Sequence, residues 1–284
     1  MRPKLRYLEP LWLALALLSG CSKAERARSE PRPAQKPPAV APAPPAPPPI
    51  AVTPSDALEP LAGDWLERIE LPGGQVVFIA PPVGARTPRP IVVAVHGAGD
   101  RPDWACGGWR LGTDAYPFVV CPQGFPMHGN TFGWTDERSI LRAIDAALPA
   151  VRQRYGAYVA SGPAVYAGFS QGATLAARTL LERSAELPLA VFAEGGYETT
   201  VDAAFARKYR AAGGQRALLI CGNPNCFKHS RRAARVLEAA GITMSTGGDA
   251  KSGHNLNEPM QRALRQVWPG FVQGMAGWEA YGKR

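Results

Sequence analysis

The sequence predicts an α/β domain in which a mostly parallel central sheet carries helices on both faces. Short, continuous apolar runs such as Ile91–Val95 (IVVAV) and Leu189–Ala193 (LAVFA) are typical of strands that are buried on both faces. Segments with apolar residues at helical spacing lie between these runs, and strands that alternate with helices favour a parallel sheet. Apolar residues make up 46% of the 284-residue chain, which is enough for a core and excludes wholesale disorder.

The expected elements follow one another through residues 57–284. A hairpin is expected first, where residues 57–71 lead into Gln75–Ala80 around the Pro72-Gly73-Gly74 turn. Apolar residues then recur at helical spacing from Ile140 to Val151, where Pro149 is expected to kink or break the helix. The other strands are expected at Ile91–Val95, Pro117–Cys121, Ala164–Gly168, Leu189–Ala193, Ala217–Cys221 and Ile242–Ser245. The other helices are expected at Thr174–Arg183, Ala203–Ala211, Ser230–Ala240 and Glu258–Val267. No long insertion separates the strands at 189–193 and 217–221, so no large lid is expected.

The N-terminus is typical of an exported protein. A basic lead precedes a short apolar run that ends at Leu18, and residues 1–20 therefore predict a signal peptide. Leu18-Ser19-Gly20-Cys21 resembles a bacterial lipobox, which predicts that Cys21 is lipidated and anchors the chain to the cell envelope, at the outer membrane or periplasmic face. An ordinary signal peptide that contains a cysteine is the alternative interpretation.

A proline-rich linker is predicted over residues 21–56. Residues 31–54 hold 11 of the 29 prolines and no acidic residue, which favours an extended spacer. A single domain is then expected over residues 57–284. Its basic residues are scattered, without an aromatic-interleaved basic patch, and this argues against a nucleic-acid partner.

Four cysteines remain if Cys21 is lipidated. An even number in an oxidising compartment favours disulfides, and the pairing of sequence neighbours is Cys106–Cys121 and Cys221–Cys226. A zinc site is the rival interpretation, but it needs clustered ligands, and His229 near Cys226 is the only hint of one.

The segment Gly168-Phe169-Ser170-Gln171-Gly172 matches the pattern G-x-S-x-G. The motif follows a predicted strand and opens a predicted helix, so it predicts a sharp turn that lifts the Ser170 hydroxyl off the sheet edge. Glycines two residues to either side are needed where the chain packs too closely for a β-carbon. Ser170 is therefore the candidate nucleophile.

The segment His96-Gly97-Ala98-Gly99-Asp100 directly follows the strand IVVAV. We expect this loop to supply an oxyanion donor, with the backbone N–H groups of Ala98 and Gln171 as the pair. His96 itself is interpreted as a structural loop histidine. His254 follows the last predicted strand and precedes a helix, which is the place of a general base in this architecture.

The order HGAGD, GFSQG and SGH, each after its strand, resembles the α/β-hydrolase superfamily. The elbow is most similar to the carboxylesterase/phospholipase and dienelactone-hydrolase-like serine esterases, and the resemblance covers nearly all of residues 65–272. It implies Ser170 as nucleophile and His254 as base. We expect no cofactor and no metal.

The third triad member departs from the family pattern. The resemblance implies an Asp in the loop after the strand at 217–221, but residues 221–226 (CGNPNC) contain no carboxylate. Some members carry the acid one strand earlier, which makes Glu194 the first choice. Asn225, near the expected position, and Asp249, five residues before His254, are the alternatives.

Trp104, Trp109 and Trp134 are expected in loops after the strands at 91–95 and 117–121. They predict either an apolar pocket for an acyl or aromatic group or part of the core. The sequence as a whole predicts a lipid-anchored serine hydrolase that cleaves small-molecule carboxylic esters through an acyl-enzyme. The alternatives are a binding lipoprotein that has lost its chemistry and a peptidase or polyester depolymerase on the same fold.

Overall fold

The structure is a computed structural model that describes residues 58–197 and 201–283. The predicted signal peptide, the lipidation site Cys21 and the predicted linker over 21–56 lie outside the described residues. Within the described ranges, no helix combines the length and the apolar character needed to cross a membrane.

Within residues 58–197 and 201–283, ten strands form one large sheet and one small hairpin. In chain order they are β1 (Glu67–Glu70), β2 (Val76–Ala80), β3 (Ile91–Val95), β4 (Phe118–Pro122), β5 (Phe125–Pro126), β6 (Phe132–Gly133), β7 (Val165–Phe169), β8 (Leu189–Ala193), β9 (Arg216–Cys221) and β10 (Thr243–Gly248). The eight-stranded sheet has the order β1-β2-β4-β3-β7-β8-β9-β10, in which β2 runs opposite to the other seven strands. Strands β5 and β6 pair with each other. The predicted mostly parallel sheet is confirmed, as is the early hairpin around residues 72–74.

In the part of the chain that the structure describes, six α-helices cover the two faces of the sheet. They are α1 (Pro102–Gly112), α2 (Glu137–Tyr155), α3 (Gln171–Arg183), α4 (Ala203–Ala211), α5 (Pro224–Ala239) and α6 (Glu258–Val272). Helices α2 to α5 share one buried apolar cluster with alternate residues of the strands, and α1 and α6 share a second cluster on the other face. In β3, for example, Val93 belongs to the first cluster and Val92 to the second, as the two-residue period of a strand requires. The predicted two-sided cover is confirmed.

The order in which successive strands are added to the sheet reverses beside β3. The chain goes from β3 to β4 on one side and later returns to β7 on the other side of β3. Open α/β sheets bind their ligands at the carboxyl ends of the strands that flank such a switch point. Residues 96–100 and Ser170 lie there, because they directly follow β3 and β7.

Two details of the predicted helices are wrong. Helix α1 was not expected, because its glycines have poor helix propensity. A β-carbon at Gly108 would lie 2.8 Å from Leu256, and one at Gly112 would lie 2.5 Å from Leu264 of α6, so these glycines permit close packing of the two segments. A break at Pro149 is also absent, since α2 continues to Tyr155. Pro149 lies on the exposed face, and the buried face of α2 packs against the core.

Both disulfides are present in the predicted pairing. Cys106–Cys121 joins α1 to β4, and Cys221–Cys226 closes the loop between β9 and α5. The zinc interpretation is wrong for Cys226, because its sulfur is bonded to that of Cys221. The connection from β8 to β9 contains one short helix, α4, in its described part.

Candidate active site

Ser170 occupies a sharp turn between β7 and α3. Its φ angle is 51° and its ψ angle −112°, a backbone conformation that costs a non-glycine residue on the order of 1–3 kcal/mol. The turn is held by two backbone bonds: Ser170 N donates to Ala193 O at 2.9 Å, and Thr174 N donates to Ser170 O at 2.9 Å. The strained turn directs the hydroxyl away from the sheet.

The glycines beside Ser170 are needed for close packing, as the motif predicts. A β-carbon at Gly172 would lie 2.3 Å from Val95 O, and one at Gly168 would lie 2.7 Å from Ala173 N. Gly97 passes over the nucleophile itself, because its β-carbon would lie 3.0 Å from the β-carbon of Ser170. Side chains at these positions would push the turn away from β3.

His254 is placed against Ser170 by the loop after β10. Its Nε2 lies 2.8 Å from Ser170 Oγ, and the imidazole is 55% exposed. Its Nδ1 lies 3.1 Å from Glu194 Oε2. Because a carboxylate only accepts hydrogen bonds, Nδ1 carries the proton in this arrangement, and Nε2 is then free to accept the proton of the Ser170 hydroxyl.

Glu194 directly follows β8 and is buried, with 1% of its side chain exposed. Its φ angle of 52° lies in the left-handed region that favours glycine. Oε1 accepts a hydrogen bond from Gly222 N, and Oε2 accepts one from Asn223 Nδ2 at 2.9 Å in addition to that from His254. Three donors therefore converge on one buried carboxyl group.

In the described part of the chain, neither of the two other candidates for the acid makes a hydrogen bond to His254. Asn225 is exposed at the second position of α5, and no hydrogen bond of its side chain is present among residues 58–197 and 201–283. Asp249 accepts from Lys251 N at 2.9 Å and from Ser252 Oγ at 3.3 Å, within its own turn. Glu194 is thus the candidate that the structure brings to His254. Asn223, its neighbour, was missed by sequence reasoning, although an Asn before a Pro is a common start of a helix.

The expected oxyanion donors lie on either side of Ser170. In the described part of the chain, Ala98 N makes no hydrogen bond. Gln171 N belongs to the first turn of α3, where backbone N–H groups have no partner within the helix. The N-terminal end of α3 also carries the positive end of the helix dipole, which favours negative charge on a group bound there.

A buried network fixes the loop that carries Ala98. Gly124 N donates to His96 Nε2 at 3.2 Å, so Nδ1 carries the ring proton and donates to Gly97 O at 2.8 Å. Burial lowers the pKa of His96 below its ordinary value of 6.5. Trp134 Nε1 donates to His96 O at 3.0 Å, which ties the loop to the next segment. The interpretation of His96 as a structural residue agrees with these contacts.

The side chain of Gln171 connects this network to the nucleophile helix. Its Oε1 accepts from Trp134 N and its Nε2 donates to Trp134 O, both at 2.9 Å. Sequence reasoning assigned only the backbone of Gln171 a role, and it missed this clamp because the partner lies 37 residues away.

A cavity of about 450 Å³ opens beside Ser170 and His254. The expectation that the three tryptophans lie in loops is wrong for Trp104 and Trp109, which belong to α1. Trp104 is 66% exposed and lines the cavity, with the Arg101 guanidinium 4.8 Å from its ring. Trp109 lines the cavity from the core, and Trp134 is buried away from it.

One cluster in the described ranges has the residue types of a metal site. It consists of Glu194, Cys221 and Cys226, whose ligand atoms lie within 4.8 Å of one another. The two sulfurs form a disulfide, and the carboxylate already accepts three hydrogen bonds. The cluster is therefore unsuited to hold an ion.

Known structures share this fold. No protein-family model and no curated protein sequence matches the chain. A ferulic acid esterase superposes with a TM-score of 0.53 at 14% identity, over 73% of this chain and 97% of that chain. An esterase from Rhizomucor miehei gives 0.53 at 16% identity, over 74% and 82% of the two chains. The fluorophosphonate-binding serine hydrolase F of Staphylococcus aureus gives 0.52 at 13% identity, over 73% and 97%. The predicted α/β-hydrolase fold is confirmed.

Proposed function

We propose that this chain is a serine hydrolase that cleaves small-molecule carboxylic esters through an acyl-enzyme at Ser170. The observation that carries the proposal is the continuous chain of contacts from Ser170 Oγ through the His254 imidazole to the buried Glu194 carboxylate, at 2.8 and 3.1 Å. A nucleophile, a base and a group that orients the base are what acyl transfer requires.

In the first half of the reaction, Ser170 Oγ attacks the ester carbonyl carbon while its proton passes to His254 Nε2. The carbonyl oxygen gains the negative charge, and the N–H groups of Ala98 and Gln171 stabilise it. Glu194 stabilises the imidazolium that forms. When the tetrahedral intermediate collapses, the bond to the leaving oxygen breaks, and Nε2 gives its proton to the departing alcohol.

In the second half, water takes the place of the alcohol. His254 Nε2 removes one proton from the water, whose oxygen attacks the acyl carbon of the Ser170 ester. Collapse of the second intermediate releases the carboxylic acid and returns the proton to Ser170 Oγ. Atoms and protons balance over the cycle without a metal or a cofactor.

The cavity supports an ester with an apolar or aromatic part as substrate. Trp104, Phe169 and Leu256 line it together with the glycine-rich loop after β3. The structurally similar proteins include a ferulic acid esterase and other esterases, which favours the same class of reaction for this chain. The volume of the cavity, about 450 Å³, fits a small molecule.

We place this hydrolase at the bacterial cell envelope. The basic lead, short apolar run and lipobox-like residues before Cys21 support export and lipidation, and the proline-rich linker would hold the domain away from the membrane. Mass spectrometry of the membrane fraction tests this part: an acylated N-terminal Cys21 is expected, and an unmodified chain in the soluble fraction would contradict it.

The catalytic proposal is tested with the Ser170→Ala variant. We expect loss of hydrolysis of p-nitrophenyl acetate and loss of labelling by a fluorophosphonate probe, with an unchanged unfolding temperature. Ser161→Ala is the control, since Ser161 is an exposed serine before β7, at the opposite end of the sheet. Labelling of the Ser170→Ala variant at the wild-type rate would refute the mechanism.

The rival function is a binding lipoprotein without chemistry. The absence of an Asp after β9 motivated it, but Glu194 takes the place of that Asp beside His254. Folded wild-type protein that neither labels nor hydrolyses any ester of a panel would favour the rival.

A further inference from the structure

The six residues from Cys221 to Cys226 form a closed loop at the end of β9. The disulfide joins the two ends of the loop, and both cysteines are buried. This loop lies between the segment that carries Glu194 and the segment that carries His254. It therefore contacts both Glu194 and the segment that carries the proposed base.

Hydrogen bonds connect the loop to each segment. Gly222 N donates to Glu194 Oε1, and Gly222 O accepts from Gly253 N at 2.8 Å, one residue before His254. A β-carbon at Gly222 would lie 2.0 Å from Gly253 O, so only glycine permits this approach. The backbone at residue 222 thus sets the separation of the acid and the base.

The side chain of Asn223 supplies the remaining contact. Its Nδ2 donates to Glu194 Oε2 at 2.9 Å, and its Oδ1 accepts from Cys226 N at 3.0 Å as the N-cap of α5. These two bonds fix the orientation of the amide, because a flipped amide would direct an oxygen at the carboxylate and a donor at the Cys226 N–H group. The bond from Cys226 N therefore fixes the Asn223 amide, and the amide in turn orients the Glu194 carboxylate.

We propose that Asn223 is a positioning residue that holds the Glu194 carboxylate in line with the His254 imidazole. The proposal rests on the proposed function of the Ser170 site. Glu194 approaches from β8, and without Asn223 its Oε2 would have only His254 as a partner. The loop after β9, which contains no acid, then still takes part in the triad by orienting an acid from the neighbouring strand.

Two variants of Asn223 test the proposal. Asn223→Ser keeps a good N-cap residue but removes the amide donor, and we expect kcat on p-nitrophenyl acetate to fall about tenfold to a hundredfold with little change in KM. Asn223→Asp also keeps the cap and places a second carboxylate against Glu194. Because two carboxylates this close repel each other unless they share a proton, we expect Glu194 to lose its alignment and kcat to fall at least as far as in Asn223→Ser.

Asn225 gives the matched controls, since it lies in the same loop, is exposed and does not contact Glu194 through a hydrogen bond in the described structure. Asn225→Ser should keep wild-type kcat, and Asn225→Asp should lower kcat much less than Asn223→Asp. Wild-type kcat in the Asn223 variants, or equal effects at both positions, would overturn the proposal.

A separate measurement distinguishes failure of this inference from failure of the proposed function. Proton NMR of the His254 Nδ1–H group reports its hydrogen bond to Glu194 in any folded variant, whether or not the protein hydrolyses esters. We expect this resonance to shift upfield in Asn223→Ser relative to the wild type and to Asn225→Ser, because the bond to a less well oriented Glu194 is weaker. Inactive wild-type protein with this shift refutes the hydrolase alone, and active wild-type protein without the shift refutes the role of Asn223.

Discussion

Replacing Glu194 with Gln should disable the base without changing the size of the side chain. Three donors meet the carboxylate: Gly222 N, Asn223 Nδ2 and His254 Nδ1. A carboxamide has one oxygen and one NH2 group, so it cannot accept from donors on both sides. If the carboxamide oxygen still accepts the hydrogen bond from Gly222 N, the carboxamide NH2 group faces both the Asn223 amide and His254.

The imidazole then takes the other tautomer. Nδ1 loses its proton to accept from the introduced carboxamide, and Nε2 carries the proton and cannot accept one from Ser170 Oγ, 2.8 Å away. The same loss of the correct tautomer in serine proteases lowers kcat by about 10⁴-fold, and we expect a loss of this order here. If the amide flips instead, the buried Gly222 N–H group faces an NH2 group, which costs about 1–3 kcal/mol of stability.

Stopped-flow or steady-state hydrolysis of p-nitrophenyl acetate gives kcat/KM, and urea unfolding shows whether the variant is folded. Asp249→Asn is the control, because in the described structure the Asp249 carboxylate makes hydrogen bonds only within its own turn. This variant should leave kcat/KM unchanged. A folded Glu194→Gln variant within about threefold of wild-type kcat/KM would refute the reasoning, and loss of activity in Asp249→Asn would move the role there.

Two further predictions concern the disulfides and the buried histidine. Replacing the pair Cys106–Cys121 with serines should lower the free energy of unfolding by about 3 kcal/mol and leave kcat unchanged. Replacing the shorter pair Cys221–Cys226, five residues apart, should cost about 2 kcal/mol. It should also lower kcat, since the loop that this disulfide closes bonds to Glu194; equal kcat values for the two variants would contradict this. Burial lowers the pKa of His96, so the unfolded chain binds a proton that the folded chain excludes once the pH falls below 6.5. The free energy of unfolding should therefore decrease with falling pH by up to about 1.4 kcal/mol per pH unit. Urea unfolding measured at several pH values should show a weaker dependence of this free energy on pH for His96→Gln than for the wild type.

The sheet could be predicted from the sequence because its central strands are apolar on both sides. Runs such as IVVAV and LAVFA admit few other interpretations, and the observed bounds of β3 and β8 agree with the expected ones. Helix α1 could not be predicted in the same way. Its glycines lower local propensity, and the reason for them is contact with Leu256 and α6, which lie about 150 residues further along the chain.

The nucleophile and the base could be proposed from motifs because each directly follows a strand. The acid could not be fixed, since Glu194 and Asn225 follow adjacent strands and the sequence does not show which side chain is directed at the imidazole. The hydrogen bond from Asn223 to Glu194 could not be predicted for the same reason, because it joins residues 29 positions apart. Long-range side-chain contacts are set by the register of β8 against β9.

The backbone offers an independent reason to regard Glu194 as functional. Ser170 and Glu194 have φ angles of 51° and 52°, and each ends a strand at the same edge of the sheet. Gly195 connects the two turns, because its β-carbon would lie 2.4 Å from Ser170 O. Left-handed backbone costs a non-glycine residue on the order of 1–2 kcal/mol, so glycine at 194 would relieve strain if only the fold mattered. A glutamate there, buried and directed at His254, is better explained by the chemistry of its carboxylate.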